Sequence, residues 1–252
     1  MAKIVADVMR RNVECINPTE NLRMASTILG EKHIGSLVVM GSAGPIGLLT
    51  ETDIIWKVIA LNRDLSTTLT LEVMSIYYGR ITANASLKEA ARMMLEKKKR
   101  LLVFEDDELI GIVTATDLVR GIAETDLVVG VEEVMSKKIF CLDEAATALE
   151  AAKMMAEKRI GSVIVTRDDE PYGIFAERDL ITKVAARNLP FTTELRFLLS
   201  TPLITAPVNV TLSEAAKIMV EKGIKRLPLL QGEDFAGIVT ARDLVEAYAK
   251  TP

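Results

Sequence analysis

GIVTARD, the stretch from Gly237 to Asp243, decides the fold, because closely similar stretches occur at three earlier places in the chain. They read GLLTETD from Gly47, GIVTATD from Gly111 and GIFAERD from Gly173, so successive glycines are 64, 62 and 64 residues apart. Self-similarity at a nearly fixed period indicates a repeat architecture. We therefore predict four copies of one structural unit, each ending with this closing segment.

Two further segments recur in register with the closing segment. The first opens each copy and reads DVM from Asp7, EVM from Glu72, EVM from Glu133 and, in an altered form, LLS from Leu198. The second precedes the middle strands and reads HIGSLVV from His33, KRLLVF from Lys99, RIGSVIV from Arg159 and KRLPLL from Lys225. Copies 1 and 3 share IGS, and copies 2 and 4 share KRL. This alternation predicts two pseudo-symmetric pairs.

Each copy has the same order of apolar and amphipathic patterns. A short apolar strand precedes an amphipathic helix, two apolar strands follow across a turn rich in Gly and Asp, and a second helix closes the copy. In copy 2 the first helix places Leu87, Ala90, Ala91 and Met94 on one face. The order β-α-β-β-α predicts an α/β (α+β) fold class. The predicted copies span residues 1–62, 68–125, 130–188 and 196–252.

Composition argues against several classes of protein. The net charge is −4, with acidic and basic residues mixed along the chain, so we expect no nucleic-acid partner. No apolar run approaches the ~18 residues of a membrane helix, and the N-terminus lacks a signal-peptide pattern, so we expect no membrane partner and a cytoplasmic protein. Cys15, Cys141 and the single His33 lie far apart, so we expect no metal site. Without a phosphate loop or a nucleophile elbow, we expect no catalytic residues and no enzyme activity.

The three recurrent segments together resemble the cystathionine β-synthase (CBS) domain family across essentially the whole chain. In that family two copies dock into a pair, the Bateman module, which has two clefts related by a pseudo-twofold axis. A four-copy chain is similar to the nucleotide-binding γ subunit of AMP-activated protein kinase and to its stand-alone archaeal relatives. The resemblance therefore implies four tandem CBS domains that pair into two Bateman modules.

The Thr and Asp of the closing segment fit a capping box, in which Thr is the N-cap and the acid at N3 bonds back to it. The first helices of copies 2 to 4 use glutamate in that position, in SLKE from Ser86, TALE from Thr147 and TLSE from Thr211. The closing helices instead use aspartate in all four copies: Asp53, Asp117, Asp179 and Asp243. A cap alone accepts either acid, so the constant aspartate indicates a second role.

The resemblance supplies that role, because in nucleotide-binding members of the family this aspartate accepts hydrogen bonds from the ribose hydroxyls. It also places Thr50, Thr114 and Thr240 at the polar end of the ligand, where free N–H groups of the helix favour a phosphate. Copy 3 departs from the pattern because Ala176 replaces the Thr. This replacement removes one cap and one ligand contact.

Other candidate residues follow from the same resemblance. Arg178 and Arg242 stand beside closing aspartates and are either phosphate ligands or solvated surface arginines. The basic pairs Lys99-Arg100 and Lys225-Arg226 lie at the nucleotide phosphates by resemblance, or are charged helix ends. A further group lies at the ends of the first strands and in the IGS and KRLP segments. These residues would line the clefts and contact the adenine. Alternatively, they serve only as small packing residues buried in the strands. They are Cys15, Ile16, Ser36, Thr82, Cys141, Ser162, Thr205 and Pro228.

We therefore expect a non-catalytic regulatory protein and energy sensor that binds AMP, ADP or ATP, the last with magnesium. Copies 2 and 4 carry the fullest set of Thr, Asp and Arg and are the predicted strongest sites. A second hypothesis keeps the fold but replaces the ligand with S-adenosylmethionine, NAD or a diadenosine polyphosphate. A third is a protein-interaction scaffold with empty clefts. The expected protein partners are a protein regulated in trans and a second copy of the chain in a homodimer.

Overall fold

The predicted order of strands and helices occurs in each copy in a computed structural model, which describes residues 3–96 and 100–251. Lys99, half of one predicted basic pair, lies outside these residues. In copy 1 the elements are strand Cys15–Ile16, helix Leu22–Glu31, strands Ser36–Gly41 and Gly44–Thr50, and closing helix Glu51–Ile54 with a π-helical continuation Ile55–Ile59. In copy 3 they are strand Cys141–Asp143, helix Ala148–Lys158, strands Ser162–Arg167 and Glu170–Ala176, and closing helix Glu177–Asp179 with π-helix Leu180–Ala185.

The even copies differ in that their closing helices are regular α-helices. Copy 2 has strand Gly79–Thr82, helix Leu87–Glu96, strands Arg100–Glu105 and Glu108–Thr114, and closing helix Ala115–Ala123. Copy 4 has strand Ala206–Pro207, helix Leu212–Lys222, strands Arg226–Gln231 and Asp234–Thr240, and closing helix Ala241–Lys250. The opening segments form single turns: α-helices Val5–Val8 and Thr70–Val73, and 3₁₀ helices Val131–Glu133 and Leu195–Phe197.

Each copy forms its own three-stranded sheet, so the described residues contain four small sheets. The first strand runs parallel to the second, and the second pairs antiparallel with the third. The hairpin turns use the Gly and Asp residues that the sequence predicts, with Asp106 and Asp107 at φ values of 46° and 65°. Aspartate tolerates this left-handed region better than most residues do. The predicted mixed α/β class is confirmed.

The fold divides into two compact units. The odd unit contains Glu14–Tyr77 and Phe140–Leu203, and therefore the sheets of copies 1 and 3. The even unit contains the chain up to Val13, Tyr78–Ile139 and the chain from Ile204 onward, and therefore the sheets of copies 2 and 4. Each unit has a separate aliphatic core. Within each unit, the first helix of either copy packs against the closing helix of the other.

The opening segments explain the constant glycine of the closing segment. Each opening segment forms an isolated bridge to the third strand of another copy in its own unit, for example Ser75 with Leu48 and Ser136 with Ile238. A Cβ atom added at Gly47 would lie 2.7 Å from the Ser75 carbonyl oxygen, and one at Gly237 would lie 2.6 Å from the Ser136 carbonyl oxygen. Only glycine allows the two backbones to come this close.

No helix within the described residues is long and apolar enough to cross a membrane.

Candidate functional site at the closing turns

The closing turns are the four-residue segments that join the third strand of each copy to its closing helix: Thr50–Asp53, Thr114–Asp117, Ala176–Asp179 and Thr240–Asp243. In copies 1, 2 and 4, one carboxylate oxygen of the aspartate, Oδ2, accepts bonds from the Thr backbone N–H and the Thr hydroxyl. In copy 4 these distances are 2.8 and 2.7 Å. In copies 1 and 4 the aspartate N–H also donates to the Thr hydroxyl, at 3.1 and 3.3 Å, so the predicted capping box is confirmed there. Copy 2 has the bonds to the aspartate side chain alone. In copy 3 the closing turn supplies Asp179 Oδ2 with the N–H of Ala176 alone, at 2.9 Å, because Ala176 has no hydroxyl.

The second carboxylate oxygen, Oδ1, is held by a cation in three of the four closing turns. Asp53 Oδ1 lies 2.7 Å from the Lys57 ammonium, and Asp179 Oδ1 lies 2.7 Å from that of Lys183. The Ser200 hydroxyl also donates to Asp179 Oδ1, at 3.0 Å. In copies 1 and 3 a lysine four residues later therefore neutralises the charge of the aspartate.

Copy 2 holds its aspartate more tightly. The Arg120 Nη2 lies 2.5 Å from Asp117 Oδ1, and the Arg10 Nε lies 3.2 Å from the same oxygen. The Asp117 side chain is 0% exposed, whereas both arginine side chains remain partly exposed. The Arg120 guanidinium also donates to the Val8 carbonyl oxygen at 3.0 Å, which ties this ion pair to the opening segment. Asp117 is thus fully satisfied by the chain itself.

Copy 4 leaves the corresponding oxygen without such a partner. Among the described residues, all hydrogen bonds to the Asp243 carboxylate end at Oδ2, and no cation pairs with Oδ1. One turn later the helix carries Glu246, which pairs with Lys250 at 2.8 Å. Burial raises the pKa of Asp243, and the negative charge of Glu246 raises it further, against the lowering effects of the Thr240 hydrogen bonds and of Arg242.

The residue at the first position of the closing helix also differs between the two units. The odd unit has Glu51 and Glu177 in this position, both buried. Glu51 Oε1 lies 3.0 Å from the Arg178 Nε, and Glu177 Oε1 accepts a 2.8 Å bond from the Thr52 hydroxyl. The Arg178 guanidinium also donates to the His33 carbonyl oxygen at 2.8 Å. Arg178 therefore links copies 1 and 3 by an ion pair. The sequence predicts either a phosphate ligand or a solvated surface arginine, and this ion pair belongs to neither alternative.

The even unit has Ala115 and Ala241 at this first helical position. It also differs across the hairpin, because Arg100 pairs in register with Thr114 and Arg226 with Thr240. The odd unit has Ser36 opposite Thr50 and Ser162 opposite Ala176. The carbonyl oxygen of Lys225, beside Arg226, accepts the N–H of Ala241 at 2.9 Å. The even closing turns thus combine an α-helix start that lacks an acid at its first residue with an arginine on the adjacent strand.

The first strands correct two details of the sequence interpretation. Cys15 and Cys141 are exposed, so the alternative of small buried strand residues is wrong for both. Partial burial nonetheless raises the pKa of each thiol, and Glu14 adds to the effect at Cys15. Neither thiol is therefore activated as a nucleophile.

Strand register also corrects the proposed counterpart in copy 2. Cys15 pairs with Val38, and the residue that pairs with the equivalent Leu102 is Arg80, two residues before Thr82. The counterpart of Cys15 in copy 2 is thus Arg80, which stands 31 residues before Gly111, whereas Cys15 stands 32 residues before Gly47. The other predicted cleft-lining residues take several environments: Ile16 lies in the odd core, Pro228 is buried in the second strand of copy 4, and Thr205 directly precedes the first strand of that copy.

A family model described as "CBS domain" matches four segments, at residues 5–60, 72–124, 131–186 and 195–250. The chain belongs to the CBS domain family. The four matches correspond to the four copies, so the family predicted from the recurrent segments is confirmed. The matched CBS segments include all four closing turns.

Several CBS proteins are similar to this chain. The uncharacterized protein MK0525 of Methanopyrus kandleri is 39% identical over 121 residues, which cover 47% of this chain and 62% of that protein. The uncharacterized protein MJ1404 of Methanocaldococcus jannaschii is 23% identical over 97% of this chain and 62% of its own length. Hypoxic response protein 1 of Mycobacterium tuberculosis is 34% identical over 52% of this chain and 92% of its own length. The chain thus spans less than two thirds of the first two relatives.

A solved structure shares the arrangement over nearly the whole chain. Protein MJ1225 of Methanocaldococcus jannaschii, whose description proposes an archaeal homologue of g-AMPK, superposes with a TM-score of 0.80. The superposition covers 98% of this chain and all of that one, at 18% sequence identity. At this identity the likeness shows a common fold of four CBS domains.

The cations that pair with three of the four CBS aspartates were not predicted from the sequence. Lys57 and Lys183 stand four residues after their aspartates, and Arg120 stands three residues after Asp117. Both spacings place side chains on one helix face, so this signal was available in the sequence. Arg10 lies 107 residues from Asp117 and gives no local signal. In the part of the chain that the structure describes, no cluster of His, Cys, Asp and Glu is arranged to hold a metal ion.

Proposed function

We propose that this CBS protein is a non-catalytic regulatory protein that binds an adenine nucleotide at the even unit, above all at the closing turn of copy 4. The observation that carries the proposal is the Asp243 carboxylate, which uses one oxygen for the helix cap and, among the residues that the structure describes, has no cation on the other. A carboxylate offers only acceptors, and the two vicinal hydroxyls of a ribose are donors. The ribose would therefore supply the bonds that the protein does not.

The surroundings of Asp243 suit an anionic group beside the sugar. The closing helix of copy 4 has ten residues, Ala241–Lys250, and its start carries a partial positive charge. The N–H groups of Ala241 and Asp243 already donate to the Lys225 carbonyl oxygen and the Thr240 hydroxyl, so the helix dipole is what favours an anion there. Arg226 lies across the hairpin from Thr240, and Arg242 is the second residue of the helix. We assign the phosphates to this end and the ribose to Asp243.

The buried glutamates argue against the same role for the odd unit. Glu51 and Glu177 begin the closing helices there, where a phosphate would meet a carboxylate instead of an open helix start. Both glutamates already join copies 1 and 3 through Arg178 and Thr52. These contacts favour a structural function for the odd unit.

A regulatory role fits the CBS fold and its likeness to MJ1225, the proposed archaeal homologue of g-AMPK. Nucleotide occupancy changes the behaviour of a partner only if the nucleotide has different affinities for two states of the protein. We propose such a partner in trans. S-Adenosylmethionine, NAD and diadenosine polyphosphates also carry a ribose, so a binding panel must separate them from AMP, ADP and ATP.

Calorimetric titration of the whole chain with AMP, ADP, ATP, NAD and S-adenosylmethionine tests the proposal. We expect heat from a phosphate-bearing adenine nucleotide and a loss of affinity of about 10- to 100-fold in Asp243→Ala, since bonds to a charged group contribute about 1.5–3 kcal/mol. Asp53→Ala is the matched control, because it removes the same type of helix cap in the odd unit and should leave affinity unchanged. Native affinity in Asp243→Ala would refute the proposed site, and absence of heat from every nucleotide would refute the function.

A further inference from the structure

The residue one helical turn after each closing aspartate differs among the copies. Copies 1 and 3 have Lys57 and Lys183 four residues later, and copy 2 has Arg120 three residues later. Copy 4 has Glu246 three residues later and Ala247 four residues later. Within the described part of the chain, copy 4 is therefore the copy in which no cation of its own closing helix forms an ion pair with the aspartate.

We propose that a basic residue three or four residues after the closing aspartate prevents a closing turn from holding a sugar, and that the closing turn of copy 4 can hold one because Glu246 and Ala247 supply no cation there. The inference rests on the proposed function and adds to it the residue that selects the site. It assigns Lys57, Lys183 and Arg120 as internal counter-cations that occupy the place of the ribose hydroxyls. It also predicts one strong nucleotide site per chain.

The strength of the competing bonds supports this selection. A guanidinium or ammonium bonded to a carboxylate forms a charge-assisted bond that is roughly twice as strong as a bond between neutral groups. A ribose at Asp117 would have to displace Arg120 and Arg10 from an oxygen that is wholly buried. A ribose at Asp243 would displace no side chain, and it would add hydrogen bonds to a carboxylate whose charged form burial disfavours.

The even copies provide a matched pair for the test. Both closing helices are regular α-helices, Ala115–Ala123 and Ala241–Lys250, and both aspartates stand at the third helical position. Arg120 and Glu246 therefore have the same place relative to their aspartates. An arginine at position 246 should reach Asp243 Oδ1 as Arg120 reaches Asp117 Oδ1. Glu246 is partly exposed, with 40% of its side-chain surface accessible, so the substitution does not place a charge in the core.

The first experiment compares nucleotide affinity in Glu246→Arg and the native chain by calorimetry. We expect Glu246→Arg to weaken binding by at least about tenfold, since a ribose would have to break a new ion pair. Glu246→Gln should bind as the native protein does, because it adds no cation. Glu221→Arg, on the exposed face of the first helix of copy 4, changes net charge by the same amount and should also bind normally. Native affinity in Glu246→Arg would overturn the inference and leave the proposed function intact.

The second experiment follows the Asp243 carboxyl by carbon NMR during a pH titration without nucleotide. If the ion pair forms, the pKa of Asp243 should fall in Glu246→Arg by more than in Glu246→Gln, because the arginine adds an attraction beyond the removal of a repulsion. Equal changes in the two variants would show that no pair forms and would overturn the inference. This measurement needs no ligand, so it decides the pairing even if calorimetry refutes the proposed function.

Discussion

The closing turns of copies 2 and 4 have the same Thr and Asp and the same bonds from Thr to the aspartate Oδ2, yet their aspartates are in opposite electrostatic situations. Asp117 is fully buried and held by two arginines, whereas Asp243 has a raised pKa and an oxygen that pairs with no cation within residues 3–96 and 100–251. Both turns belong to the even unit, and both start regular α-helices. The difference shows that the recurrent motif creates a helix cap in either copy. Availability for a ligand depends on residues outside the motif.

The odd unit extends the comparison. Its closing turns combine lysine counter-cations with buried glutamates at the helix start, so they differ from copy 4 in two independent ways. Even and odd copies share one fold, but the even copies carry arginine opposite the capping residue and the odd copies carry serine. The closing aspartate is thus present in all four copies, whereas the residues around it differ between the even and odd units.

The largest expected effect is on stability in copy 2. The double variant Arg10→Ala and Arg120→Ala removes both cations from a fully buried carboxylate, so we expect it to lower the free energy of unfolding by about 3 kcal/mol. The matched double variant in copy 4, Glu246→Ala and Lys250→Ala, removes an exposed ion pair and should cost about 0.5 kcal/mol. Urea unfolding of both variants measures the difference.

A control separates charge from packing in copy 2. Arg10→Lys with Arg120→Lys keeps both charges and should recover part of the lost stability. Equal losses in the copy 2 and copy 4 double alanine variants would contradict the distinction between the two turns.

The second expected effect is on the pH dependence of binding at copy 4. Only the ionised carboxylate accepts both ribose hydroxyls, and the pKa of Asp243 lies above its ordinary value. Affinity should therefore fall as pH decreases through this raised pKa, by up to about tenfold per pH unit below it. The raised pKa also means that the folded state binds this proton more readily than the unfolded state does. Above the pKa of Asp243 in the folded state, the ionised carboxylate therefore lowers the free energy of unfolding. This destabilisation is lost as pH falls toward the unfolded value.

Titrations at several pH values with native protein and Glu246→Gln measure this effect. The variant lacks one cause of the raised pKa, so its loss of affinity should begin at lower pH than in the native chain. Identical pH profiles for the two proteins would argue against Asp243 as the titrating group.

The smallest expected effect is on the helix cap of copy 3. Ala176 gives Asp179 only a backbone N–H, whereas Thr240 gives Asp243 an N–H and a hydroxyl. Ala176→Thr should complete the capping box and raise the free energy of unfolding by about 1 kcal/mol. Ala176→Val has nearly the same shape without the hydroxyl and should give no such gain. Thermal or urea unfolding distinguishes the two variants, and equal stabilities would show that the hydroxyl does not act as a cap.

Much of the fold could be predicted from the sequence because it depends on local patterns. Apolar periodicity predicts the β-α-β-β-α order, and the Thr and Asp spacing predicts the capping boxes that the structure confirms in copies 1 and 4. The recurrent glycines mark the copies, and the structure adds their physical cause, the close approach of an opening segment. Each of these features is set by residues a few positions apart or by repetition.

The state of each closing aspartate was only partly predictable. The cations at Lys57, Lys183 and Arg120 follow from helix spacing. Arg10 reaches Asp117, and Arg178 reaches Glu51, across more than 100 residues, so these pairs depend on how copies pack within a unit. Strand register likewise shows that Arg80 is the counterpart of Cys15, because the apolar pattern does not locate the one-residue difference in spacing before Gly47 and Gly111.

The most direct test of the central claim is a crystal structure of the whole chain grown with millimolar ATP. We expect electron density for a nucleotide whose ribose hydroxyls contact Asp243 Oδ1, with Asp53 and Asp179 still paired to Lys57 and Lys183. A nucleotide bound at the odd closing turns while the turn of copy 4 holds only solvent would contradict it.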